Sequence, residues 1–131
     1  MKTHGRHIKI VGYANPTCLE KVANIESLLR STVNSLGMRM LGEPHMYEVE
    51  TEIAKLNVEP FVDEGGVTGI CVLSTSHCSI HTWPLRGFFV MDVYSCRDFD
   101  ANDVINEVSA HFTGLNVNVH DVSEGLIPPN M

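Results

Sequence analysis

Residues 67–94 read VTGICVLSTSHCSIHTWPLRGFFVMDVY, and this stretch decides the arrangement of the rest of the chain. Its two ends, residues 67–73 and 87–94, are apolar runs of strand length and predict two central strands. Between them, residues 74–84 concentrate hydroxyls, imidazoles and a thiol, where a purely structural strand would alternate apolar and polar residues. We therefore expect a bend between paired strands that carries a functional site.

The sequence on either side predicts further strands and two helices. Residues 7–11 and 116–122 alternate between polar and apolar side chains, as half-buried strands do. Pro16 suits the first turn of a helix whose apolar stripe continues to Gly37, a typical terminator. Asp100 is a suitable N-cap for a second helix with one apolar face.

The least regular part of the chain lies between the first helix and the first central strand. A short strand is predicted at residues 38–41. Residues 42–66 are rich in acidic side chains, and we interpret them as a surface loop with a short helix at residues 53–56. The alternative interpretation of this segment is a substrate lid or an interface element.

The order of predicted elements defines the fold class. A strand, a helix, several consecutive strands, a helix and a last strand indicate an α+β protein. We predict a two-layer sandwich in which two main helices cover one face of a mostly antiparallel sheet, so the other face needs cover or a partner. At 131 residues the chain is long enough for a core, and we expect a single domain over residues 1–131.

Composition and charge exclude several functional classes. The formal net charge of −7 argues against binding to nucleic acid, and it is compatible with a cationic small-molecule substrate. No apolar run reaches the roughly 18 residues of a membrane helix, and the N-terminal residues do not resemble a secretory signal. We therefore expect a cytoplasmic protein that binds neither membrane nor nucleic acid.

The four cysteines indicate neither disulfides nor a zinc site. Without a secretion signal, the four cysteines do not predict a disulfide framework. Cys71, His77, Cys78 and His81 lie close together in the sequence, but their spacing matches no common zinc pattern. Adjacent residues of an extended segment also point to opposite sides. We therefore predict no metal site.

The central stretch resembles the self-cleavage motif of prokaryotic S-adenosylmethionine decarboxylases, small pyruvoyl-dependent enzymes of polyamine synthesis. The resemblance covers most of the chain up to about residue 112, because separate pieces keep the family's spacing. Those pieces are Gly5-Arg6-His7, the Gly-Val-Thr-Gly of residues 66–69, Ser76-His77, the Ile-His-Thr-Trp-Pro of residues 80–84, Gly87, Asp92 and Cys96.

The resemblance implies that the chain cuts itself. The Ser76 hydroxyl would attack the carbonyl of Thr75, and the peptide bond would become an ester that is then eliminated. Residue 76 would end as a pyruvoyl group, which forms a Schiff base with the amine of the substrate and accepts the electrons left by decarboxylation. The products would be a beta chain of residues 1–75 and an alpha chain of residues 76–131.

The same resemblance assigns the remaining catalytic roles. His81 matches the family's processing histidine, and imidazole suits that role because its pKa lies near working pH. Thr68 takes the place of a processing serine and keeps its hydroxyl. Cys96 matches the proton donor of the decarboxylation. The family works as a dimer, so a homodimer of processed chain pairs is expected.

Substrate contacts are where the chain departs from the family pattern. Leu85 replaces the glutamate thought to hold the ribose hydroxyls of S-adenosylmethionine, and Cys78 replaces an apolar residue near the substrate. Thr75 replaces the glutamate that normally precedes the cleaved bond. Phe61 and Tyr47 are candidates for the aromatic group that stacks on adenine.

Three functions are therefore compatible with the sequence. The first is decarboxylation of S-adenosylmethionine for spermidine synthesis, with the ribose held by another group. The second is a pyruvoyl-dependent arginine or ornithine decarboxylase of the same fold, for which the loss of a ribose ligand is harmless. The third is a non-catalytic regulatory homologue, and the presence of Ser76, His81 and Cys96 weighs against it.

Overall fold

A computed structural model describes residues 5–51 and 63–126 of the chain. Within these ranges, six antiparallel strands form one sheet in the order β2-β3-β4-β5-β1-β6. The strands are β1 (Arg6–Tyr13), β2 (His45–Val49), β3 (Gly66–Leu73), β4 (Ser76–Trp83), β5 (Phe88–Ser95) and β6 (Asn116–Asp121).

The helices of the described chain pack on one face of this sheet, as predicted for the α+β sandwich. They are α1 (Pro16–Leu19), α2 (Val22–Ser35) and α3 (Ala101–His111), and a 3-10 turn at Pro84–Arg86 joins β4 to β5. The α2 helix approaches β3 so closely that a Cβ atom on Gly69 would lie 2.8 Å from Leu29 Cδ1. That a single domain spans residues 1–131 stays a prediction.

The core lies between the helices and the inner face of the sheet. Along β4, every second residue from Cys78 to Thr82 is buried, and the same alternation continues from Phe89 to Ser95 on β5. The edge of the Phe89 ring packs against Phe112 with ring centroids 4.9 Å apart. Burial of these side chains is the main favourable contribution to folding.

The opposite side of the sheet, here called the open face, carries no helix of the described chain. On the two central strands it displays His77, Ser79, His81 and Trp83 of β4 and Phe88, Val90, Asp92 and Tyr94 of β5. Neighbouring strands add large exposed side chains, such as Tyr13, Tyr47, Ile70 and Val72.

Several predicted elements are confirmed. The two apolar runs of the central stretch are β3 and β5, and the predicted first and last strands are β1 and β6. Asp100 caps α3, because its side chain accepts a hydrogen bond from the backbone nitrogen of Asn102 at 2.9 Å.

The helix predicted from Pro16 onward is interrupted after one turn. Lys21 has an extended backbone, with ψ of 111°, so α1 ends before it and α2 starts after it as a separate helix. Side chains have taken the carbonyls that would continue α1: Asn24 donates to the Cys18 carbonyl at 3.0 Å and Thr82 to the Leu19 carbonyl at 2.8 Å. The apolar stripe did not reveal this break.

The prediction that the motif forms a bend is wrong. Residues 76–83 form strand β4, which pairs with β3 on one edge and with β5 on the other. Only Ser74 and Thr75 turn the chain. The small side chains of Cys78 and Thr82 fit the close-packed inner face of the sheet. Because these side chains are polar, the sequence pattern did not indicate a buried strand. Of the strand predicted at residues 38–41, only an isolated bridge between Met40 and Leu73 forms.

Strand β2 was not predicted. It lies inside the segment interpreted as a loop, and its five residues give too short a pattern to separate from an irregular one. The helix predicted at residues 53–56 lies outside the described residues.

No helix in the described part of the chain has the length and apolar character that crossing a membrane requires.

The Thr82 side chain ties the sheet to α1 through buried hydrogen bonds. Its Oγ1 accepts from the backbone nitrogen of Val67 at 2.9 Å and donates to the carbonyl of Leu19 at 2.8 Å. Thr32 provides a contrast, because its buried Oγ1 has no hydrogen-bond partner among the described residues.

These two threonines give a matched test of buried hydrogen bonding. Thr82→Val should lower the free energy of unfolding by about 2 kcal/mol or more, because two buried backbone groups lose their partner. Thr32→Val, with the same change in shape, should be neutral or stabilising. Urea denaturation of both variants measures the difference, and equal losses would show that the Thr82 bonds contribute little.

Candidate active site

Ser76 and Cys96 meet at one end of the sheet. Ser76 is the first residue of β4, and Cys96 follows the last residue of β5. Because the two strands are antiparallel neighbours, the start of one lies beside the end of the other. The backbone nitrogen of Cys96 donates a hydrogen bond to Ser76 Oγ at 3.0 Å. The structure thus brings together the predicted pyruvoyl precursor and the predicted proton donor.

A cleft of about 240 Å³ opens beside this pair. Its described lining contains two arginines, Arg39 and Arg97, and no carboxylate. The Arg97 guanidinium also donates to the Gly37 carbonyl at 3.0 Å, which holds it at the cleft. A ligand entering here therefore meets positive charge close to the Ser76 hydroxyl.

Thr75, the residue before the expected cleavage point, has a strained backbone. It is the one non-glycine residue in the described chain with a positive φ, at 55°. A β-branched residue pays a steric cost in this left-handed region. The strain follows from the short connection, since Leu73 and Ser76 are directly paired and only two residues join them. Backbone strain of this kind is common at reactive sites.

The thiols of the chain differ in their ionisation. Hydrogen bonding to the Thr75 side chain, and then to Ser76, lowers the pKa of the Cys96 thiol, with the Arg97 charge adding to the effect. Burial instead raises the pKa of Cys71 to about 11 and that of Cys78 further still. Cys96 is therefore more acidic and more accessible than either Cys71 or Cys78.

Cys78 differs from its predicted role. Its side chain is fully buried and belongs to the core cluster, and it does not line the cleft beside Ser76. Cys78 lies on the inner face of β4, directly opposite Cys71 of β3. Cys78 is therefore a core residue in this structure, and the predicted contact between Cys78 and the substrate does not form within the described chain.

His81 and Thr68 form a second group on the open face. The two residues are directly opposite across β3 and β4, and Thr68 Oγ1 lies 3.0 Å from His81 Nδ1. They border a cleft of about 180 Å³ that also has Trp83 and the carboxylates of Asp63 and Glu64 in its lining. The predicted processing base is therefore paired with the predicted processing hydroxyl.

The two groups are far apart within one chain. His81 lies five positions after Ser76 on the same strand, and an odd offset places the two side chains on opposite faces of the sheet. Five strand residues also span roughly 17 Å. The structure does not bring His81 to Ser76 of the same chain.

The predicted substrate contacts Leu85 and Tyr47 also lie outside the lining of the cleft beside Ser76. Leu85 is exposed in the 3-10 turn and borders a cleft of about 400 Å³. Four acidic residues line that cleft, namely Glu20, Glu48, Glu50 and Glu64. Tyr47 is exposed on β2, directly opposite Thr68. Phe61 lies outside the described residues.

One polar cluster was missed at the sequence level. Asp92 accepts from two imidazoles on the open face: His7 Nε2 lies 2.7 Å from Oδ1 and His77 Nε2 lies 2.9 Å from Oδ2. The zinc set considered from sequence does not assemble, because Cys71 and Cys78 face the core while His77 and His81 lie on the open face. His7, His77 and Asp92 lie in three separate pieces of the resemblance, and no local pattern indicates that they touch.

Known proteins share this architecture and sequence. A family model described as S-adenosylmethionine decarboxylase matches residues 7–125. The S-adenosylmethionine decarboxylase proenzyme of Methanococcus maripaludis strain C7 is 32% identical, over 97% of this chain and 94% of that protein. The proenzyme of Thermomicrobium roseum is 30% identical, over 97% and 98%. The crystal structure of adenosylmethionine decarboxylase from Aquifex aeolicus superposes with a TM-score of 0.69 at 26% identity, covering 100% of this chain and 98% of that one. The chain belongs to the S-adenosylmethionine decarboxylase family.

Proposed function

We propose that this protein is a self-processing, pyruvoyl-dependent decarboxylase that acts on S-adenosylmethionine. The observation that carries the proposal is the hydrogen-bonded pair of Ser76 and Cys96, placed directly after the strained Thr75. The relatives named above are proenzymes, which agrees with a chain that must be cut before it works.

The processing step can be written with the chain's own atoms. Ser76 Oγ bonds to the carbonyl carbon of Thr75, and the bond from that carbon to the Ser76 nitrogen breaks, which leaves an ester and a free amine. A base removes the α-proton of residue 76, the Cβ–Oγ bond breaks, and Thr75 departs as a carboxylate. Water then replaces the nitrogen of residue 76, releases ammonia and leaves a ketone.

The residues around this point suit the turnover that follows. A pyruvoyl group at residue 76 supplies a ketone that joins the substrate amine and withdraws the electrons left by carbon dioxide. The Cys96 thiol lies at the same end of the sheet and can return a proton to the α-carbon. Its lowered pKa means that this proton is lost at a lower pH than from an ordinary thiol, so turnover should fall as pH rises through that value.

Self-cleavage is the direct test. Purified protein should show two fragments on a denaturing gel, and intact mass should place the cut before Ser76. Ser76→Ala should remain one chain. Cys96→Ala should still cleave, while decarboxylation falls by roughly 10²–10⁴-fold, as expected for a lost acid–base group. Wild-type protein that stays whole after prolonged incubation would remove the basis of the proposal.

Substrate choice is settled by the same preparation. Carbon dioxide release should be measured with S-adenosylmethionine, arginine and ornithine. Leu85 cannot accept a hydrogen bond from a ribose hydroxyl, but the carboxylates of Glu48 and Glu50 line the same cleft and can accept one in its place. Turnover confined to arginine or ornithine would assign the alternative function, and cleaved protein inactive on all three would favour a regulatory homologue.

Strain at Thr75 should speed the cleavage. Thr75→Gly removes the steric cost of the positive φ, so the intact chain has less energy to release and cleavage should slow by roughly five- to hundredfold. Thr75→Val keeps the β-branch without the hydroxyl and serves as the matched control. Time courses of fragment appearance measure both rates. Equal rates for the glycine and valine variants would show that strain is not relieved in the slow step.

We also propose that two copies of the chain complete each site. The His81 imidazole faces away from the Ser76 hydroxyl of its own chain, and the open face that carries it has exposed aromatic and aliphatic side chains. A second copy packed on that face covers this apolar surface and brings the partner subunit's His81 to the end of the sheet at which Ser76 begins β4. This proposal agrees with the homodimer expected from the family.

Complementation between two inactive chains tests the shared site. Ser76→Ala keeps His81 but has no bond to cut, and His81→Ala keeps Ser76 but lacks the base. Each should stay whole alone, while co-production should give cleavage of the His81→Ala chain in mixed dimers, visible by mass. Light scattering should report two chains per particle. Cleavage of His81→Ala on its own would place the base elsewhere.

A further inference from the structure

We propose that His7, Asp92 and His77 form a clamp that holds the cut end of β4 in place after processing. The proposal rests on the self-cleavage proposed above. The cluster spans three neighbouring strands, because His7 lies on β1, Asp92 on β5 and His77 on β4. His77 immediately follows the residue that would become the new chain terminus.

The geometry of the cluster is complete without any other ligand. Each oxygen of Asp92 accepts from one imidazole, at 2.7 Å from His7 Nε2 and 2.9 Å from His77 Nε2. An ionised carboxylate can only accept, so both rings must carry their proton on Nε2. One possible metal-ligand atom from each of the three residues lies within 4.8 Å of the others. The Nε2 atom of each ring, however, already has an Asp92 oxygen at hydrogen-bond distance.

Tyr94 fixes the two rings from the side. It is the direct cross-strand partner of both His7 and His77, and its ring centroid lies 5.7 Å from the first and 5.9 Å from the second. Charge-assisted hydrogen bonds are stronger than neutral ones, and half-burial limits their competition with water. The clamp is therefore held by contacts on three strands, and its residues lie outside the lining of the cleft beside Ser76.

Cleavage removes the covalent anchor and one hydrogen-bonded anchor of this end, and leaves the backbone ladders to β3 and β5. In the intact chain, the two-residue turn connects Ser76 to β3, and Ser76 Oγ accepts from the Cys96 nitrogen. Processing breaks the peptide bond, and elimination carries the Ser76 oxygen away with Thr75. Free chain ends fray unless something holds them. The hydrogen bond from His77 to Asp92 is then the nearest side-chain anchor to residue 76.

The clamp should therefore matter more after cleavage than before it. The test combines Asp92→Asn and His7→Gln with either the wild-type sequence or the uncleavable Ser76→Ala chain. His120→Gln is the matched control, because His120 is exposed on the neighbouring strand β6 and outside the cluster. Hydrogen exchange of the backbone amides of residues 77–80 is followed by mass spectrometry with EDTA present, so that no metal ion contributes.

In cleaved protein, each clamp variant should speed amide exchange of residues 77–80 by about ten- to hundredfold, as for a lost charged hydrogen bond. In the Ser76→Ala chain the same variants should change it by less than about threefold, since the turn still holds the strand. Cleaved clamp variants should also turn over more slowly although they are fully cut. The His120 control should change neither quantity.

Each contrary result has a distinct meaning. Equal acceleration in cleaved and uncleavable chains would make the cluster a general part of the sheet and overturn the clamp. Clamp variants that fail to cleave would place the cluster in the processing reaction, which also overturns it. If the wild-type chain never cleaves, the proposed function fails first and the clamp falls with it.

Discussion

The strict alternation of side chains along β4 is the constraint on which the rest of the structure depends. This strand is hydrogen-bonded on both edges, so none of its residues can turn without breaking a ladder. Even-numbered residues from Ser76 to Thr82 face the helices, and odd-numbered ones lie on the open face. One strand therefore contributes to the core and also carries two separate groups of reactive side chains. Because the side chains alternate, Ser76 and His81 lie on opposite faces of the sheet.

Much of the fold could be predicted because local chemistry and tertiary packing agree. The apolar runs of β3 and β5 have strand length, and Asp100 caps α3 with its own carboxylate. Prediction failed where distant groups decide the outcome. The break between α1 and α2 depends on Thr82, which is remote in sequence from the Leu19 carbonyl that it binds. Strand β2 is short and depends on its pairing with β3.

The candidate site was predictable in its members more than in its arrangement. The resemblance named Ser76 and Cys96, and the structure places the Cys96 nitrogen on the Ser76 hydroxyl. The odd spacing between Ser76 and His81 would have shown that they face apart, had the motif been assigned to a strand. Burial of Cys78 follows from the same parity. The contact of His7 with Asp92 needed the order of strands in the sheet, which no local pattern contains.

The strand order also determines what a cut before Ser76 would leave behind. The first fragment would contribute β1, β2 and β3, and the second β4, β5 and β6, yet β1 lies between β5 and β6. The fragments would thus be interlocked, with strand β1 of the first inserted between β5 and β6 of the second. Since the strained turn at Thr75 forms only when β3 and β4 pair, folding would have to precede the cut. Thereafter unfolding would separate two molecules, so refolding would become bimolecular and stability would depend on protein concentration.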